Sequence, residues 1–167
     1  MTKAKTSPKL KIQHHEILQA SENYARLIDG YRDEVLTQAT RTIRLLGRKS
    51  SARIIHTLLG YEVQASYKRI QCPDLVTARY LRLFSELGCH SIKLPYDPTR
   101  TEHLIPVFEA PLNSLKERIR ELFPRDSSTQ QYVLRKIYGI IREQIADITR
   151  AASGPTALQT SREELYS

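Results

Sequence analysis

Proline 73 has a fixed φ and no backbone N–H, so no helix runs through it, and Cys72 before it is pushed out of the α region. Gly88 then offers a natural left-handed stop. Between them Thr77, Tyr80, Leu81, Phe84 and Leu87 recur at spacings of three and four, the inner stripe of an amphipathic helix. A helix over about 74–87, entered from the turn Gln71-Cys72-Pro73-Asp74, is therefore the fixed point around which the rest of the chain is read.

On the N-terminal side, Ile17, Tyr24, Ile28, Tyr31, Val35, Ala39, Ile43 and Leu46 also recur at multiples of three and four. They predict a long amphipathic helix from His14 to Leu46, with Gly30 a place to bend and Gly47 its end. "GRKSS" reads as a short basic linker. "SARIIHTLLG" predicts a short helix with Ile54, Ile55, Leu58 and Leu59 apolar, and Tyr61 to Gln71 a further helical stretch with Val63, Tyr67 and Ile70 on one side.

After Gly88 the period changes. "HSIKL" alternates, with Ile92 and Leu94 on one face. "PYDPTRTE" is a turn, and "HLIPVFE" reads as a second extended run with Pro106 at an edge, so the two runs predict one β-hairpin. Ser114-Leu-Lys-Glu117 and Ser127-Ser-Thr-Gln130 have the form of capping boxes. They open predicted helices to Phe123, where Pro124 stops the chain, and to about Ala152, before Gly154-Pro155. The expected fold is mainly α with one β-hairpin.

The 167 residues suit one domain, and the 40% hydrophobic, 26% charged composition is that of a soluble globular chain. No apolar run approaches the roughly 20 residues a membrane helix needs. "MTKAKTSPKLK" is basic with no apolar stretch behind it, unlike a secretory signal, so a cytoplasmic location is expected. Cys72 and Cys89 are too few for a disulfide framework. With His90 and His103 they lack the CxxC or HxxxH spacing of a metal site, so no metal is expected. Glycine-rich nucleotide loops and the HExxH and GxSxG motifs are absent. Glu16 beside His14 and His15 falls at the exposed start of a helix, so no catalytic residue, no cofactor and no enzymatic activity are expected.

Charge says more. The net +8 is segregated: +4 lies in residues 1–11 and +7 between Arg41 and Arg82, leaving −3 elsewhere. Segregated positive charge suits a polyanion, because each neutralised phosphate releases counterions.

In "YKRIQCPDLVTARYLRLFSELG" a short helix, a turn and a helix ending in Phe84-Ser-Glu-Leu87-Gly88 follow one another, and "IKLPYDPTRTEHLIPVF" stands where a wing would be. This resembles a winged helix-turn-helix protein, and the element order is similar to that of the MarR-like regulators. The resemblance implies a winged-helix-like part at 51–109, flanked by long N- and C-terminal helices at 12–47 and 112–152 that form a homodimer. Together these make a single domain over 12–153, between a flexible basic arm at 1–11 and a polar tail at 154–167. It implies a non-enzymatic, sequence-specific regulator of double-stranded DNA. Arg79 and Arg82, one turn apart, would enter the major groove. Lys68 and Arg69 would cross the backbone, Lys93 and Arg100 would carry the wing's contacts, and Arg44, Arg48, Lys49 and Arg53 would steer phosphates. The alternative is a helical interaction or adaptor module whose basic face meets an acidic protein or RNA, with DNA the preferred nucleic acid.

Overall fold

The computed structural model describes Ile17 and residues 24–48 and 51–153. The arm at 1–11, Lys49 and the tail at 154–167 lie outside the described residues. The architecture differs from the expected one: five strands in two antiparallel sheets are threaded among the helices.

Helix α1 (Tyr24–Gly30) runs into a π-helical turn (Tyr31–Val35), closed by the Leu36 N–H donating to the Tyr31 carbonyl at 2.9 Å. The expected long helix does not continue. β1 (Thr40–Arg44) begins instead, in a segment where Thr40, Thr42 and Ile43 are β-branched and lose side-chain freedom in a helix. The three-and-four spacing of Ala39, Ile43 and Leu46 is compatible with a strand followed by an irregular stretch, and a strand is what forms.

The two helices expected between Ser51 and Gln71 are also replaced. β2 (Ala52–Thr57), β3 (Gly60–Ala65) and β4 (Lys68–Cys72) form a three-stranded antiparallel meander. Its turns are Leu58-Leu59 and Ser66-Tyr67. Gly60 at φ +122° occupies a region closed to side chains, and an added Cβ would stand 3.0 Å from the Cys72 carbonyl oxygen. Register places Ile54, Val63 and Ile70 in one cross-strand row and Tyr61 beside Cys72 in the next. This face packs on the core.

α2 (Leu75–Leu87) forms as expected. The Asp74 carboxylate accepts from the Thr77 N–H at 2.7 Å, and Gly88 at φ 85° closes it in the left-handed region. It is no exposed recognition helix, however. Val76, Ala78, Tyr80, Leu81, Leu83, Phe84 and Leu87 are all buried, so α2 is the central element of the core. Each such large apolar side chain contributes about 1.5–3 kcal/mol by leaving water.

β5 (Ser91–Pro95) pairs with β1, Thr40 opposite Pro95 and Arg44 opposite Ser91, rather than with a second arm of a wing. The hairpin expected at 91–109 does not exist. A 3-10 turn (Pro98–Thr101) leads into α3 (Leu104–Leu122), so "HLIPVFE" is helical. Pro106 falls in the first turn, where its missing N–H would have no partner anyway. Ser114 lies inside α3 and caps nothing. α4 (Ser127–Ala152) forms as expected, but its cap is Asp126, which accepts from the Thr129 N–H at 3.1 Å. Phe108, Leu112, Leu115 and Ile119 of α3 and Val133, Ile137, Tyr138 and Ile141 of α4 complete the core around α2.

Candidate nucleic-acid interface

The meander has a second face, turned away from α2. Strand alternation places Arg53, Gln64 and Arg69 on it in one directly paired row, and Ile55, Glu62 and Gln71 in the next. The row is tied together. An Arg53 Nη2–H donates to Gln64 Oε1 at 3.2 Å, and Gln64 Nε2–H donates to Glu62 Oε1 at 3.0 Å. Arg69 Nε stands 3.7 Å from the same carboxylate oxygen. The Arg69 side chain is 73% exposed against 18% for Glu62, so the acid lies low in the face and the arginine stands above it. Glu62 thus orients both Gln64 and Arg69 without covering them.

Positive charge continues past one end of the meander. Lys68 Nζ donates to the Arg44 carbonyl at 3.0 Å, linking the two sheets. The Arg48 guanidinium stands 6.0 Å from the centroid of the Tyr67 ring, at the β3–β4 turn. The opposite end is the β2–β3 turn, where Leu58 and Leu59 are fully exposed. That turn is built rather than slack: the Leu59 N–H donates to Thr57 Oγ1 at 3.3 Å, and Gln71 Nε2 donates to the Leu59 carbonyl at 3.3 Å.

The structure therefore places Arg53 and Arg69 together on this face; Lys68, opposite Ala65, belongs by register to the other face, and Arg44 and Arg48 meet the meander at its end, through Lys68 and Tyr67. It does not bring the other expected contacts to this face. Arg79 grips Glu109 of α3 with two N–H donors, at 3.0 and 3.3 Å, and Arg82 approaches the same carboxylate at 3.5 Å. Both arginines serve the packing of α2 on α3. Lys93 points toward the end of α4, its ammonium bonded to the Ser153 hydroxyl. Arg100 lies 3.8 Å from Asp97 on the 3-10 turn. Gln64, Gln71 and Glu62 were missed in the sequence. The signal was there: "YEVQA" and "KRIQC" alternate polar and apolar residues, the period of a half-buried strand.

Among the described residues no group of three or more His, Cys, Asp or Glu gathers as a metal site would require, and no helix is long and apolar enough to cross a membrane. Comparisons with protein-family models, with curated proteins and with solved structures find no match for this chain.

Proposed function

We propose that the chain is a non-enzymatic protein that binds double-stranded DNA, as the sequence suggested, but through the outer face of its meander sheet and not through a helix. One observation carries this: the cross-strand row Arg53–Gln64–Arg69, presented on a face whose one acid is sunk beneath it. Arginine pairs with guanine and glutamine with adenine by two hydrogen bonds each, so the row combines the side chains that read base edges. The outer strands of such a sheet stand about 10 Å apart, against a major groove of about 12 Å. Arg44, Arg48, Lys49 and Lys68 then supply phosphate contacts. DNA as partner agrees with the cytoplasmic location expected from the sequence. Homodimerisation is no part of the proposal, because one of the two helices meant to build the dimer is a strand at its C-terminal end.

The test sets the sheet pair against the helix pair. Binding to a random-sequence duplex is followed by fluorescence anisotropy from 50 to 200 mM salt. The Arg53→Gln/Arg69→Gln variant is expected to bind about tenfold or more weakly at low salt, with the slope of log K against log salt, which counts phosphate contacts, little changed. Arg79→Gln/Arg82→Gln, checked for folding by circular dichroism, should leave affinity unchanged. A helix-pair loss with the sheet pair neutral, or no binding by the parent chain at low salt, overturns the proposal.

A further inference from the structure

A cavity of about 270 Å³ opens between the outer edge of β5 and α4, beside elements that the DNA proposal does not use. Its floor is Ile145, Cys89 and the ring of Tyr31, all buried. Lys93, Arg142 and Arg150 stand at its rim, and none of the described lining residues is an acid. Asp147, paired with Arg150, offsets one of these three charges.

The walls are fixed by hydrogen bonds. Leu45 N–H donates to the His90 carbonyl at 2.8 Å, so His90 faces β1 and Ser91, next along the strand, turns its N–H and carbonyl away. Two residues on, the equivalent groups of Lys93 are both taken by the Tyr31 hydroxyl. It donates to the Lys93 carbonyl at 3.1 Å and accepts from the Lys93 N–H at 3.0 Å. Arg142 is held by one bond, Nη1 to the Leu87 carbonyl at 3.2 Å, which occupies a fraction of a guanidinium's five donors.

We infer that this cavity binds a small organic anion with a compact apolar body, a branched or cyclic monocarboxylate of about ten heavy atoms. The carboxylate meets Arg142, Arg150 and Lys93 at the rim, and the hydrocarbon covers Ile145, Cys89 and the Tyr31 ring. An inorganic anion would leave that floor wet. A neutral hydrocarbon would strip water from the cations without replacing it, and an organic cation would be repelled. Binding is non-covalent: burial pushes the Cys89 thiol up to about 12, so at neutral pH it is a protonated, apolar part of the wall.

The full chain, labelled with ¹⁵N, is titrated with cyclohexanecarboxylate and followed by its amide spectrum. Cyclohexanemethanol, with the same body and no charge, and acetate, with the charge and no body, are the controls. Saturable shifts confined to Tyr31 and its neighbours and to residues 89–93 and 142–150 are expected, with a dissociation constant of about 0.1–1 mM. Each control should bind at least tenfold more weakly. Arg150→Gln, at the exposed rim, should weaken binding at least threefold with the rest of the spectrum unchanged. Arg142→Gln should do the same or more, and if it fails to fold Arg150→Gln still decides. Non-saturating shifts, acetate acting as well as the ring acid, the alcohol binding equally, or an unaffected Arg150→Gln each overturn the inference. The DNA proposal has its own variants, on other elements, and stands or falls separately.

Discussion

Glu109 takes two arginines at once, and its side chain is 22% exposed. The fork from Arg79 is the geometry in which a guanidinium and a carboxylate bind most strongly. Removing the acid leaves two cations side by side, one turn apart on α2, with no counter-charge from α3. Glu109→Ala is expected to lower stability by about 1–2 kcal/mol in urea denaturation, discounted for partial solvent screening. The same substitution frees Arg79 and Arg82, so affinity for duplex DNA should stay level or rise slightly. Spacing alone showed that these two arginines share a helix face. It could not show that an acid thirty residues on in the chain would meet them, because that pairing exists only once α3 has folded against α2.

At the scale of elements, α2 was legible because its ends are chemical: Asp74 caps, Gly88 stops, and Pro73 forbids extension. The meander was not legible as strands. Ile54, Ile55, Leu58 and Leu59 fit a helical stripe as well as an alternation, and neither turn carries the Asn-Gly or Asp-Gly pair that announces a hairpin. Ser66 instead adopts φ 55° without being glycine. Pro106 was read as an edge-strand residue when it belongs to a helix's first turn. The charge block from Arg41 to Arg82 was legible as charge, but the fold splits it between a sheet face and a helix interface.

Tyr31 joins elements that are far apart in sequence, its hydroxyl standing in for a neighbouring strand at Lys93. Tyr31→Phe leaves a backbone N–H and a carbonyl without that partner and is expected to cost about 1–2 kcal/mol. Burial holds the Tyr31 phenol up at about 12, above its ordinary 10. The folded form therefore keeps its proton where the unfolded form has lost it. Stability from this group is intact below pH 10 and falls as pH rises from 10 toward 12. The difference in stability between the parent and Tyr31→Phe should shrink across that window. Chemical denaturation at pH 8, 10 and 11 checks it, and a constant or growing difference would rule out this linkage.

For the molecule as a whole, the chain leaves the second sheet at Arg44 and returns to it at Ser91. Everything that forms the meander and α2 lies between those two residues, and its pairings are between neighbours in sequence. Contacts between near neighbours form early, whereas β1–β5 must close a long loop before it gains anything. During refolding, pulse-labelled amides of 52–87 should become protected before those of Thr40–Arg44 and Ser91–Pro95; simultaneous protection would argue against this order. The order also bears on a chain still emerging from a ribosome. β1 has no partner until the last residue of β5 is out, and until then its edge is open to any other strand that reaches it.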